Sequence, residues 1–233
     1  VTSLSTWSGS LADYDNSWSG GYSCGYAAGP EIWFVATVPS GNVFSIEQTL
    51  STDVVIEQVS SCSATTCEDY TDTPEYLQWY NDTGSSATLT LIVEGYYSYT
   101  TGNVTLDFVN DPAPEGYGCD NAVDITYATS YAGDFADFQN TWSGTSCGYA
   151  SGPEAWFVAT VQPGDTLNVA ETSGIDVILQ RVTSCSATSC AAYRDEPENL
   201  SWTNSGASAV DVYIVVERYY DGTGYFTLDI TNG

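Results

Sequence analysis

Short apolar runs recur along this chain at intervals of about ten residues, and clusters of Gly, Pro, Asn and Ser separate them. Such runs, rich in Thr, Val, Tyr and Ile, suit a pleated surface better than a helix. The run from Ile32 to Val38 is almost wholly apolar and is entered through Gly29-Pro30, so it reads as a buried strand. Segments 42–50, 53–60, 77–81, 87–97 and 102–109 read as further strands. No stretch carries apolar residues at helical spacing. Strands so spaced, without helices, predict an all-β chain built as jelly-roll-like β-sandwiches of roughly seven or eight strands each.

The pattern occurs twice. Residues 23–79 match 146–202 at a constant offset of 123, including SCGYAAGPEIWFVATV against SCGYASGPEAWFVATV. Upstream, Asp13 and Trp18 correspond to Asp137 and Trp142; downstream, Glu94 and Tyr96-Tyr97 correspond to Glu217 and Tyr219-Tyr220. A long internal match at fixed offset marks a repeated unit. The expected organisation is a first sandwich over 1–110, a Pro/Gly joint over 111–118 and a second sandwich over 119–233. The chain opens at Val1 and contains no Met, as a processed, mature chain would.

Charge narrows the functions. Asp and Glu number 30 against three Arg (Arg181, Arg194, Arg218), with no Lys and no His, for a net charge of −27. Charged residues are only 14% of the chain, below the usual quarter or so, so what is unusual is missing base. No basic patch can form, which excludes nucleic acid and anionic membrane surfaces as partners. High-salt adaptation would select the same balance. No apolar run is long enough to span a membrane.

Seven Cys are present, six of them at matched positions. Without His, and with C-x4-C spacing, disulfides in an oxidising compartment are expected rather than zinc. Cys62–Cys67 and Cys185–Cys190 would each close a short loop, worth about 2 kcal/mol at most. Cys119 has no match in the first copy, because its position there falls before Val1. By spacing alone, Cys24 is left free, bonds another chain, or takes Cys119 and leaves Cys147 over.

Both copies share a Cys, then Gly-Pro-Glu-x-Trp-Phe, then an Asp, a Cys pair, Glu-x-Tyr-Tyr, Gly and Thr-Leu-Asp. The carriers are Cys24, Gly29-Pro30-Glu31, Asp53, Cys62, Cys67, Glu94, Gly102 and Thr105-Leu106-Asp107, and again Cys147, Gly152-Pro153-Glu154, Asp176, Cys185, Cys190, Glu217, Gly224 and Thr227-Leu228-Asp229. This pattern resembles the bacterial pre-peptidase C-terminal domain and its relatives. The resemblance implies a jelly-roll-like sandwich, export, and use as a non-catalytic appendage; some members bind calcium and some bind polymers such as collagen. It also implies a Cys119–Cys147 bond, which leaves Cys24 as a free or intermolecular thiol.

Candidate chemistry follows from what the chain possesses. Only oxygen donors are available for a metal, which selects calcium. Matched carboxylates include Asp72/Asp195, Glu75/Glu198 and Glu94/Glu217. The expected ligands are Asp13, Glu31 and Asp53 with their equivalents Asp137, Glu154 and Asp176, since Glu31 and Asp53 stand at the mouths of apolar strands. The alternative task for them is to cap turns and accept backbone N–H bonds. Activated nucleophiles need a base that the chain lacks, and a Glu31–Asp53 glycosidase pair has little room for a cleft; no enzymatic activity is expected. Trp33 and Trp156 alternate with Phe34 and Phe157, so one of each pair points out of its core. With Tyr96, Tyr97, Tyr219 and Tyr220 they are candidate interface aromatics. Asn81, Asn103 and Asn199 begin glycosylation sequons. The expected function is a secreted, bacterial, extracellular or cell-surface structural protein that assembles with copies of itself into a filament or surface layer, stabilised by disulfides and calcium. The alternative is an adhesion module for a polysaccharide or matrix protein.

Overall fold

The computed structural model describes residues 5–18, 24–142, 144 and 147–233. Val1 and the residues that open the matched segments, Ser23 and Ser146, lie outside them. The chain forms two compact units, Val1–Ala113 and Pro114–Gly233.

Among the described residues, the first unit has strands β1 (Thr6–Ser10), β2 (Glu31–Val38), β3 (Asn42–Gln48), β4 (Val54–Val59), β5 (Cys67–Thr71), β6 (Tyr76–Tyr80), β7 (Ala87–Gly95) and β8 (Asn103–Pro112). They make two four-stranded antiparallel sheets, ordered β1-β8-β3-β6 and β2-β7-β4-β5. The second unit has β9 (Val123–Asp124), β10 (Ser130–Asp134), β11 (Glu154–Val161), β12 (Thr166–Glu171), β13 (Val177–Val182), β14 (Ala192–Arg194), β15 (Asn199–Thr203), β16 (Val210–Arg218) and β17 (Tyr225–Asn232). Its sheets are β10-β17-β12-β15 and β14-β13-β16-β11-β9, with β9 added parallel to β11. The all-β sandwich expected from the sequence is observed.

Each core lies between the two sheets. In the first unit Ile32, Phe34, Ala36 and Val38 of β2 meet Phe44, Ile46, Ile56, Leu91, Leu106 and Phe108 there. Residues of opposite parity on the same sheet, Val59 and Ile92, are buried as well, in a second cluster with Trp18, Cys24 and Trp33. The sheet β2-β7-β4-β5 is thus covered on both faces, one by its partner sheet and one by the Trp18 loop. Double burial explains why its strands read as continuous apolar runs without clean alternation. Asn81, at the end of β6, is fully buried and ties this strand end down: its Nδ2 donates to Val38 O and Ser85 O at 2.8 Å each. It is therefore not available to carry a glycan.

Two expectations are corrected. Segment 111–118 is not a separate joint. Asp111 and Pro112 belong to β8, Ala113 N donates to Gly41 O, and Gly116 N donates to Asn121 O. The disulfides also pair differently: Cys24–Cys67, Cys147–Cys190 and Cys119–Cys185, leaving Cys62 as an exposed free thiol. The expected Cys62–Cys67, Cys185–Cys190 and Cys119–Cys147 bonds are absent, and Cys24 is bonded. The reason is the side of the sheet on which each sulfur lies. Cys67 is the first residue of β5, opposite Val59, whereas Cys62 sits in the exposed turn beyond β4. Cys24 is 1% exposed in the cluster that includes Val59 and Cys67, so Cys67 is the sulfur within its reach. The two 43-residue links each contribute about 4 kcal/mol on a loop-entropy view, about double the value of the short loops.

Two outcomes follow for the folded protein. One thiol per chain reacts with maleimide, and peptide mapping places the label on Cys62. Non-reducing digests yield linked Cys24–Cys67 and Cys147–Cys190 peptides; recovery of a Cys62–Cys67 peptide would reverse the assignment.

Candidate functional site

Glu31 opens β2 after the Gly29-Pro30 bend. A Cβ on Gly29 would meet Gly95 O at 2.5 Å and Tyr97 O at 2.6 Å, so only glycine fits this approach to the end of β7. The Glu31 side chain is 4% exposed. Its carboxylate accepts from Ser17 N at 3.0 and 3.1 Å, Ser17 Oγ at 2.5 Å and Trp18 N at 3.0 Å. Glu154 repeats this with Thr141 N at 2.9 and 3.0 Å, Thr141 Oγ1 at 2.5 Å and Trp142 N at 2.7 Å. These two carboxylates latch the Trp loops onto the sheet; each is engaged by its own loop. Charge-assisted bonds of this kind are the strong ones.

Glu94 lies opposite Glu31 across β2 and β7, and Glu57 lies on β4 next to β7. Both are 1% exposed. Neither Glu57 oxygen, nor Oε1 of Glu94, has a hydrogen-bond partner among the described residues. Burial, then the charges of Glu94 and Glu31, push Glu57 from 4.5 up to about 9. Burial, then Glu31, pushes Glu94 to about 8. The second unit places Gln180 where the first has Glu57. Its Nε2 donates to Glu217 Oε2 at 2.5 Å, and its Oε1 accepts from Trp142 Nε1 at 2.7 Å. Burial still raises Glu154 and Glu217, each to about 7. A protonated Glu57 is the carboxylic-acid counterpart of Gln180, and sequence comparison of the copies alone exposes the exchange.

A third set of carboxylates is exposed. Asp176, Asp195 and Glu198 present oxygens within 4.8 Å of one another. Asp176 precedes β13, Asp195 follows β14, and Glu198 precedes β15 beyond the Glu196-Pro197 cis turn. Tyr219 N donates to Asp176 O at 3.0 Å. Tyr219 and Tyr220 pack edge to face at 4.7 Å. Asp176, Asp195, Glu196 and both tyrosines line a shallow hollow of about 260 Å³. The first unit places Asp53, Asp72 and Glu75 at the matching positions. There Tyr96 N donates to Asp53 O at 3.1 Å, and burial together with the Asp53 charge raises the Asp72 carboxyl. Three carboxylates with open coordination positions suit a hard cation that fills its shell with water.

Of the six expected ligands, then, only Asp176 joins a cluster of three among the described residues. Asp13 and Asp137 are exposed in short 3-10 turns, Asp53 is exposed before β4, and Glu31 and Glu154 are buried latches. Asp195 and Glu198 were legible as matched carboxylates but not as neighbours of Asp176. The outward tryptophans are not free surface. Trp156 is 4% exposed beneath Trp142, with ring centroids 5.3 Å apart, and Trp33 is half-buried against Trp18 at 6.2 Å. The loop that each Glu latches covers them. Tyr97 and Tyr220 are exposed, while Tyr96 and Tyr219 are half-buried.

No family model matches the chain, and no curated protein matches it. Among solved structures, the pre-peptidase C-terminal domain of a collagenase from Bacillus anthracis is 16% identical, spans 47% of this chain and 94% of that domain, and superposes with a TM-score of 0.31. PliG of Aeromonas hydrophila, a periplasmic inhibitor of g-type lysozyme, is 12% identical over 47% of this chain and 96% of its own, at 0.29. The CUB1-EGF-CUB2 region of human MASP-1/3 is 13% identical over 98% of this chain and 100% of its own, at 0.24. At these scores the likenesses assign no function to the chain.

The buried acids set a pH dependence. A carboxyl whose pKa rises on folding keeps its proton in the folded state after the unfolded chain has lost it. Its stability term is intact below about 4.5 and falls as pH climbs toward the folded value. The first unit therefore loses stability between 4.5 and about 9 through Glu57. Glu57→Gln removes this loss and the orphaned oxygens: melting at pH 9 shows a gain of about 1–3 kcal/mol that shrinks toward pH 4. An equal shift at both pH values would show that ionisation of Glu57 is not the cause.

Proposed function

We propose that this chain is a non-catalytic structural protein working outside the cell, and that copies of it assemble with calcium on the carboxylate–tyrosine patches. One observation carries the reading: Asp176, Asp195 and Glu198 converge beside Tyr219 and Tyr220, and matching acids and tyrosines stand at Asp53, Asp72, Glu75, Tyr96 and Tyr97. Copies carrying −27 each repel one another, and no Lys is available to form ion pairs between them. A divalent cation held between exposed carboxylates removes that repulsion. Three disulfides support an oxidising, extracytoplasmic setting. The absence of His and Lys from the sequence supports a non-catalytic role.

A second reading, a polymer-binding module, is favoured by one observation. Tyr97 and Tyr99 stack with centroids 5.1 Å apart at 3°, and are 46% and 74% exposed. A flat pair of exposed rings suits stacking on a sugar or an apolar polymer face.

Sedimentation velocity and negative-stain microscopy, in millimolar calcium and then in excess chelator, test the assembly reading. Calcium produces filaments or large oligomers, and the chelator disperses them. The triple variant Asp176→Asn, Asp195→Asn, Glu198→Gln shifts the response to higher calcium. Monomers at every calcium level would remove this reading. Retention on a glycan or matrix resin that Tyr97→Ala with Tyr99→Ala abolishes would favour the other.

A further inference from the structure

Strand register sets three acids side by side on the loop face of the first unit's sheet. Glu31 stands opposite Glu94, Glu94 opposite Val55, and Glu57 follows Val55 by two residues on β4, so all three share one face. Trp33 and Ile92 lie on that face and pack with Trp18. Tyr70 of β5 lies opposite Glu57. A Cβ on Gly25 would meet the Tyr70 ring at 3.0 Å and Val55 at 2.8 Å, so the loop is pressed against the face there. Glu31 is engaged by Ser17 and Trp18. Glu57 and Glu94 are not engaged in this way: each is 1% exposed, and both oxygens of Glu57 and Oε1 of Glu94 lack hydrogen-bond partners among the described residues. The only bases of the chain, Arg181, Arg194 and Arg218, belong to the second unit.

The second unit shows what this place requires. Gln180, at the position of Glu57, makes two kinds of bond there: its Nε2 donates to Glu217 Oε2 at 2.5 Å, and its Oε1 accepts from Trp142 Nε1 at 2.7 Å. In the first unit the amide donor is replaced by a carboxyl oxygen, and the indole is withdrawn, since Trp18 Nε1 donates to Ala64 O at 2.9 Å. What is left is a set of buried acceptors without a donor. Only a proton or a cation satisfies such a set. Oxygen donors alone select a hard divalent cation over a transition metal. One such ion balances the two unengaged carboxylates, and the nearby Glu31 charge adds to its attraction.

We propose that Glu57 and Glu94 form a buried site for a divalent cation of the calcium class beneath the Trp18 loop, and that the second unit has no such site because Gln180 supplies the missing donor. Glu57 contributes both oxygens and Glu94 contributes Oε1; the rest of the shell falls to water and main-chain carbonyls. The cation takes the place of the proton that Glu57 otherwise holds. It ties β4 to β7 under the loop that Glu31 clasps. The site is separate from the exposed acids Asp176, Asp195 and Glu198 and does not depend on their part in assembly.

The test uses the full chain carrying Asp176→Asn, Asp195→Asn and Glu198→Gln, which removes the exposed cluster. Calcium is titrated by calorimetry at pH 9, where Glu57 gives up its proton, and tryptophan emission is followed in parallel because Trp18 and Trp33 pack on the same face. The expected result is a saturable isotherm with a matching change in emission and a rise in the thermal midpoint of the first unit. Glu57→Gln, a residue the second unit already accommodates at this place, weakens the affinity by about tenfold or more and removes the emission change; Glu94→Gln does the same. Binding and emission unaltered by Glu57→Gln would overturn the proposal, as would the lack of saturable binding with either calcium or magnesium. Binding retained in this background while calcium-driven assembly is lost supports a buried site distinct from the exposed patches.

Discussion

Covering one sheet on both faces, in a chain almost without base, is the constraint that shapes this protein. The sheet β2-β7-β4-β5 faces the main core on one side and the Trp18 loop on the other. Carboxylates on the loop side cannot be neutralised by Lys or Arg, because the first unit contains neither. Glu31 instead gathers two backbone N–H groups and a hydroxyl from the loop itself, and so becomes the clasp that keeps the loop in place. A buried carboxylate with only neutral donors is tolerable because each donor is preorganised and none needs its own counter-charge. The Cys24–Cys67 bond fastens the same loop from its other end.

The two copies act as controls for one another. Where the second has Gln180, the amide bridges Glu217 and the Trp142 indole, and every polar atom of that side chain is satisfied. Where the first has Glu57, the Trp18 indole turns to Ala64 O at 2.9 Å and both carboxyl oxygens lack hydrogen-bond partners among the described residues. The order of the four antiparallel strands is the same in both, β2-β7-β4-β5 and β11-β16-β13-β14. The buried polar contact is therefore an adjustment within a settled architecture and not its cause, which lies in the shared clasp, Trp pair and disulfide.

Much of this was legible in the sequence. The long strands β2, β3, β4, β7 and β8 were read within a few residues, because apolar runs of that length have few other uses. Strands β1, β5, β10 and β14 were not, because they are short, polar and exposed at the sheet edges, with sequences such as TWSGS and CEDYT. The disulfides were misread for a physical reason. Nearness in the chain suggested Cys62–Cys67, but the turn after β4 and the register shift between Gln58 and Val59 separate the two sulfurs. The acidic cluster was half-read: Asp195 and Glu198 share the loop between β14 and β15, Asp176 lies on the loop before β13, and the β14-β13 and β12-β15 pairings bring the two loops to one place. Parity correctly put Trp33 and Trp156 on the far face of their strands, but parity cannot say that a loop covers that face.

The edges complete the picture. An exposed strand edge invites pairing, and proteins guard it with lysine, proline, brevity or cover. This chain has no lysine to place there. In the first unit β1, β5 and β6, which end its described sheets, are five residues each, and β1 and β5 are mostly exposed or polar. The remaining edge, β2, is eight residues long and almost wholly apolar, with Glu31 at one end engaged by the loop clasp. The second unit meets the same difficulty at β11 by cover, and pins the cover with a disulfide. The second unit thus guards a long apolar strand by cover and a covalent lock, where β1 and β5 are guarded by brevity and polarity.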